Sequence, residues 1–354
     1  MASSWCGARR ARSATLADAV ATAPRRCTRL AVRGRSGGSV RPLRARAAYL
    51  AYRAGAELAR RVPPSVGEPL GRTVSRAMVR AWPRKRRQVA RNLVRASRGA
   101  LSGAALERAV NEVFTNYGRY WHEMFRLPDD VRHDVVAERF DGAGAEHVAA
   151  ARERGCGAIL AVPHLGNWDY AGAWLVGCGY PLVVVAEPVE PPELFEWFVR
   201  VRRAIGMDVV SLGPGATSSV LHALHTNRIV CLVCDRDLGG DGVEVEFFGE
   251  RTTFPAGPAT LALRTGAPLL HAGVYLEPHG GHTGTIFPSI DTTRAGRFRD
   301  DVVRVTQSLA HVFENLISAA PEQWLMMQPV WPSDRAVFDK FRQSDEDLVV
   351  GSRV

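Results

Sequence analysis

The stretch AILAVPHLGNWDYAGAWLVGCG, residues 158–179, runs an apolar segment into His164 and places Asp169 five residues further on. AILAV has the length and continuity of a strand buried on both faces, and Pro163 ends it. NWDYAGAWLVGC then reads as a helix, with Asn167 as N-cap and Asp169 in the first turn. A buried strand feeding straight into a helix is the building unit of a parallel sheet.

The same rhythm extends outward. PLVVVAE, MDVVSL, IVCLVCD, VEVEFFG and PLLHAGVYLE read as strands. PPELFEWFVRVRRAIG, SSVLHALHTN and PAGPATLALRTG read as helices, the first with Pro in its opening turn. The alternation predicts an α/β fold: a mostly parallel central sheet flanked by helices on both faces, preceded by an N-terminal helical segment. His164, Glu187 and Asp235 each stand at or just past the C-terminal end of an apolar strand, where such folds place their sites.

Upstream, AAYLAYRAGAELARRV over 47–62 is an amphipathic helix that PPSVGEP ends. Such a helix either lies on a membrane surface or docks on the domain. PRKRRQVARNLVRAS is a basic helix. In the next one Ser102 is the N-cap, Phe114, Tyr117, Tyr120, Trp121 and Phe125 recur at helical spacing as a core stripe, and Pro128 closes it. The organisation expected is a basic tail over 1–46, one domain over 47–335 (mainly helical over 47–128, α/β over 129–335) and a loose C-terminal tail over 336–354.

A length of 354 residues with 46% hydrophobic and 23% charged content describes a folded chain with a sizeable core. The formal excess of +10 lies in residues 1–46, which hold eleven Arg and one acid, Asp18; the remainder balances. That tail either contacts anionic lipid head groups or is solvated charge, and Asp18 interrupts its one apolar stretch, SATLADAVATA, so it lacks a secretory core. No window has the length of apolar sequence needed to cross a bilayer. Six Cys form no disulfide framework. Cys231 and Cys234, three apart on a strand, point to opposite faces and are poorly placed to share a metal, and a reducing compartment fits.

The chemistry concentrates at PHLGNWD. A first-turn carboxylate is kept ionised by the helix dipole, and the turn at Gly166 can bring Asp169 back to one nitrogen of His164, leaving the other for a cleft. No Ser or Cys nucleophile accompanies the pair, since there is no G-x-S-x-G and Cys156 and Cys178 lie in structural positions. A His–Asp dyad of this kind activates a hydroxyl of the substrate. A structural His beside a capping Asp is the plainer alternative.

H-x-x-x-x-D after a strand resembles the signature of the glycerolipid and lipid A acyltransferases. YGRYWHEMFRLP, VPHLGNWDYAGAWL, VVAE, CLVCDRDL followed by GVEVEFFGE, and PAGPATLA extend the likeness, over about residues 45–332, to the actinobacterial phosphatidylinositol mannoside acyltransferases. The resemblance implies transfer of a long acyl chain from acyl-CoA, palmitoyl-CoA above all, to the 6-hydroxyl of a mannose on a phosphatidylinositol mannoside. It also implies a peripheral enzyme on the anionic cytoplasmic face of the plasma membrane, without metal or resident cofactor. His164 would be the general base and Asp169 its orienting anion. Glu187 matches a family carboxylate on the acceptor side, Arg202 a family Arg near the cleft, and Asn167 and Trp168 fall within the substrate-binding motif. At Asp235 the family relative carries Glu. Asp is one methylene shorter, so either the strand end lies closer to His164, or a water intervenes, or Asp235 is not the counterpart.

Other readings remain beside this one. The same chemistry would serve another glycolipid or a lysophospholipid, and a non-catalytic lipid-binding protein would share the fold. A nucleic-acid binder would rely on the Arg tail alone. DRDLGGDGVEVE places Asp235, Asp237, Gly240 and Glu246 at calcium-loop spacing, but between strands where that motif needs helices. His222 and His225 read as a helix surface. Acyl length would depend on what blocks a groove, with Trp168, Trp174, Trp197 and Phe195 as candidates.

Overall fold

The computed structural model describes residues 40–62 and 64–334. Residues 1–39 of the tail expected over 1–46, and the tail expected over 336–354, lie outside the described residues. Helix α1 (Val40–Arg61) already begins within the stretch read as tail.

The N-terminal layer is built on α4 (Gly103–Arg132), against which α1, α2 (Pro64–Ala81) and α3 (Pro83–Ala96) pack. PPSVGEP does not remain a loop: Pro64 takes the first position of α2, where the missing N–H interrupts no helical bond. Nor does Pro128 end α4, which continues to Arg132. Arg60 of α1 grips Asp129, one residue beyond the proline, through two hydrogen bonds of 2.6 and 3.1 Å. That tertiary contact holds the helix past the bond the proline removes. The aromatic stripe of α4 is part core and part cavity wall: Phe114 is fully buried, while Tyr52 of α1 packs edge-on to Trp121 at 5.1 Å.

After α5 (Val135–Arg139), β1 (Phe140–Ala143) and α6 (Ala145–Glu153), the alternating units begin. They are β2 (Ala158–Val162), α7 (Trp168–Gly177), β3 (Leu182–Ala186), α8 (Pro192–Ala204), β4 (Asp208–Ser211), α9 (Ala216–His225) and β5 (Ile229–Val233). The chain goes on through a hairpin to α10 (Gly257–Thr265), β8 (Leu269–Leu276), β9 (His282–Ile290) and α11 (Phe298–Ala319). The seven-stranded sheet has the order β1-β9-β8-β2-β5-β3-β4. β8, β2, β5, β3 and β4 are mutually parallel; β9 runs antiparallel to β8, and β1 follows β9. The fold is therefore α/β with a mostly parallel sheet and an N-terminal helical segment.

Every residue of β2 is buried. Ile159 and Ala161 join one core with α9, α10 and α11, whereas Ala158, Leu160 and Val162 join another with α4, α7 and α8. Strand periodicity thus splits one apolar run between two faces, and each large side chain contributes about 1.5–3 kcal/mol by burial.

VEVEFFG stands apart from this sheet. It forms β6 (Val243–Phe247), which among the described residues pairs only with β7 (Glu250–Phe254), across Phe248–Gly249. Both turn residues have positive φ, 53° and 78°, as a tight two-residue hairpin needs. No helix among the described residues is long and apolar enough to cross a membrane.

Candidate active site

β2 and β5 are neighbours in register, with Val162 opposite Val233. Two residues past that pair, on each strand, stand His164 and Asp235. The ladder continues through the Cys234 N–H, which donates to the Val162 carbonyl at 3.1 Å. It brings the buried Asp235 carboxylate onto His164 twice: Oδ2 accepts the His164 backbone N–H at 2.9 Å, and Oδ1 lies 2.5 Å from ring Nδ1. The indole of Trp324 also donates to Oδ2, at 2.8 Å.

Burial by itself would raise the pKa of Asp235. The adjacent imidazole charge and the hydrogen bonds from ring, indole and backbone outweigh it and hold the carboxyl below the ordinary carboxylate range. Of the three ways open to a short acid here, the structure takes the first, a strand end directly against the histidine.

The expected pairing of Asp169 with the imidazole is not formed. Asp169 is buried in the first turn of α7. Its carboxylate accepts two bonds from Arg202 of α8, from Nε at 2.7 Å and Nη2 at 2.9 Å, and one from the Tyr120 hydroxyl at 2.7 Å. A guanidinium fork offers a buried carboxylate two aligned donors, which a single imidazole nitrogen cannot match. Arg202 and Asp169 both reach the cavity wall, but each is committed to the other.

Asn167 is fully buried. Its oxygen caps α7 by accepting the Tyr170 N–H at 3.1 Å, and its amide donates to Glu123 at 2.7 Å. It braces the loop and does not line the cavity, contrary to the substrate contact expected of it. Trp168 does line the cavity, edge-on to His164 with ring centres 5.1 Å apart and against Tyr120 at 4.6 Å. Glu187, at the end of β3, is about half exposed and takes a 2.7 Å bond from Arg236, which the Gln328 side chain also holds.

Gly166 makes the turn possible. Its φ is +61°, and a Cβ there would stand 2.3 Å from the Val274 carbonyl. The turn is clamped from outside by Gln323–Leu325. The Gly166 N–H donates to the Gln323 carbonyl at 3.0 Å and the Leu325 N–H to the His164 carbonyl at 2.8 Å.

These groups meet in a cavity of about 740 Å³ at the C-terminal ends of the strands. His164 opens onto it with its side chain 26% exposed, and Nδ1 being bound to Asp235, Nε2 is the nitrogen left for a ligand. The apolar part of the wall includes Leu182, Val184, Met207, Val220 and Leu261. Of the groove-blocking candidates, Trp168 and Phe195 contribute to this wall. Trp174 instead stacks on Phe140 at 5.0 Å, and Trp197 packs against Phe125 and Phe198.

Cys231 lines the cavity too, but burial, reinforced by Asp169, pushes its thiol up to about 12, which suppresses the thiolate a nucleophile needs. Cys231 and Cys234 pack on opposite faces of the sheet, and both are free. The calcium-loop alternative fails on its second ligand. Asp237 spends its oxygens on the N–H groups of Gly239, Gly240 and Gly242 at 2.9–3.1 Å. His222 and His225 sit exposed on α9.

Residues 39–333 match the sequence model of the bacterial lipid A biosynthesis acyltransferase family. The chain belongs to that family. Membership makes this lipid A-type acyltransferase an enzyme by class. Similar proteins include the phosphatidylinositol mannoside acyltransferase of Mycobacterium tuberculosis, 40% identical over 252 residues, which cover 70% of this chain and 77% of the relative. That of Mycolicibacterium smegmatis is 36% identical over 296 residues, or 83% of this chain and 94% of the relative. Trp324, Tyr120 and Arg236 escaped the sequence reading of this acyltransferase's site. Arg236, directly after Asp235, and Tyr120, within YGRYWHEMFRLP, had a local signal; Trp324 had none.

Proposed function

We propose that the enzyme transfers a long acyl group from acyl-CoA to a mannose hydroxyl, the 6-position, of a phosphatidylinositol mannoside. The observation that carries this reading is His164, held at Nδ1 by a buried carboxylate and presenting Nε2 to a largely apolar cavity. The names of the relatives support the acceptor, and the apolar wall suits an acyl chain.

In the proposed step the acceptor oxygen attacks the thioester carbonyl carbon while Nε2 takes its proton. Asp235 stabilises the imidazolium that results. The tetrahedral oxyanion collapses, the carbon–sulfur bond breaks, and the CoA thiolate receives the proton back from His164. Asp169 serves this scheme as a brace, locking α7 to α8 and α4. Glu187 and Arg236, at the polar mouth, are suited to sugar hydroxyls.

The protein works at an anionic membrane surface, on the cytoplasmic face of the plasma membrane, in the same proposal. Residues 47–98 carry thirteen basic side chains against two acidic ones, so the near-neutral body conceals a strongly basic helical layer. Leu50, Leu58, Val74 and Trp82 are exposed on that layer. The test is to incubate the protein with palmitoyl-CoA and a panel of acceptors, following free CoA and acylated lipid. Turnover on mannosylated phosphatidylinositol, lost in His164→Ala, is expected. A stable acyl-enzyme formed without acceptor would refute direct attack.

A further inference from the structure

Asp235 has two oxygens with different company. Among the described residues Oδ1 faces only the imidazole, whereas Oδ2 is fixed by two donors, the His164 backbone N–H and the Trp324 indole. The carboxylate's rotation about its last side-chain bond is therefore set from the Oδ2 side. Trp324 is itself tied to the peptide that carries the histidine, because Leu165 and Trp324 form an antiparallel bridge. The Gln323 side chain anchors the same segment to β8, accepting the Leu276 N–H at 2.6 Å and donating to its carbonyl at 3.1 Å.

We propose that Trp324 is a positioning residue of the reaction: its indole N–H fixes the Asp235 carboxylate so that the opposite oxygen stays aimed at the imidazole. The inference rests on the reading of His164 as the base.

Packing alone does not require this arrangement. Trp331, in the same aromatic cluster with ring centres 6.2 Å away, satisfies its buried N–H on the Phe247 carbonyl at 3.1 Å. A neutral carbonyl would have sufficed for Trp324 as well. Most of the other ionisable groups around the cavity have partners elsewhere; Asp241, exposed on the loop of Asp237, also lines it. Asp169 is held by Arg202 and Tyr120, Glu187 by Arg236, and Asp237 by its own loop, while the thiol of Cys231 stays protonated. Without the indole donor Oδ2 keeps only the His164 backbone N–H, the carboxylate is free to turn Oδ1 away from the ring, and the imidazolium loses part of its stabilisation.

The test compares Trp324→Phe with an isosteric replacement of the same indole by a benzothiophene, which keeps the shape and removes the N–H. Two readouts are used: kcat and KM for palmitoyl-CoA across pH, and a ¹H–¹⁵N NMR titration of the His164 ring, which needs no turnover. Both variants should move the His164 midpoint and the acid limb of kcat downward by about 0.5–1 pH unit. The plateau kcat should fall roughly tenfold with KM little changed. Trp331→Phe should lower the melting temperature and leave the midpoint in place.

A well-folded isostere with parent midpoint and kcat would overturn the proposal, and so would an equal shift in Trp331→Phe. Turnover retained in His164→Ala would overturn the base reading instead, whatever the NMR midpoint does.

Discussion

Asp235→Asn changes little in volume but should reverse the tautomer of His164. The two donors on the Oδ2 side, the His164 N–H at 2.9 Å and the Trp324 indole at 2.8 Å, both demand an oxygen. The amide therefore keeps its carbonyl there and turns its NH₂ toward Nδ1, which in Asp235 is met by Oδ1 at 2.5 Å. Nδ1 must then accept, the ring proton moves to Nε2, and the nitrogen facing the cavity becomes a donor unable to take a proton. The loss should approach the full worth of a positioned base, about 10²–10⁴-fold in kcat, or roughly 3–5 kcal/mol of barrier. Binding of the thioester should change little, because the cavity wall is untouched.

The assay is steady-state CoA release with palmitoyl-CoA and mannosylated phosphatidylinositol, beside ¹⁵N shifts of the ring to read the tautomer. Retention of more than about a tenth of the parent rate would refute the reasoning. A second sign follows from the depressed pKa of Asp235. A carboxylate stabilised in the native state contributes stability above its unfolded pKa of about 4 and loses it as pH falls through the lower native value. Asp235→Asn should therefore weaken the pH dependence of unfolding below about pH 4.

Arg202→Met would leave the Asp169 carboxylate buried with only the Tyr120 hydroxyl, and unfolding in urea should show a loss of about 3–5 kcal/mol; a change under 1 kcal/mol would contradict the brace. Gly166→Ala places a Cβ against the Val274 carbonyl at φ +61°, so a clear drop in melting temperature together with loss of turnover is expected. Met207→Trp fills part of the apolar wall and should shift preference toward shorter acyl-CoA thioesters, by about fourfold in kcat/KM for each methylene displaced. An unchanged chain-length profile would place the acyl chain elsewhere.

Much of this architecture is legible locally. AILAV, PLVVVAE and IVCLVCD announce buried strands because continuous apolar runs between helical patterns have few other folded solutions. His164 stands out for the same reason, since its place after such a strand is a matter of adjacent residues. The strands with a polar sequence pattern do not announce themselves: β1 has four residues, β9 carries a proline, and β7 reads as ERTTF. Pro128 misleads because the grip of Arg60 on Asp129 comes from another helix. Asn167 misleads in the opposite direction, as a motif residue turned inward to Glu123.

From its sequence alone this protein declares the alternating layers, the histidine at a strand end and a choice of carboxylates around it. Only the tertiary structure decides which carboxylate serves. Asp169 is near His164 along the chain but is drawn away by the Arg202 fork, while Asp235, separated by 71 positions, is delivered by the register of β5 on β2. Periodicity is a property of neighbours and survives in the linear text. A hydrogen bond between strand ends depends on the crossovers that set which strands lie side by side, and on an indole from a distant loop that fixes the acid in place.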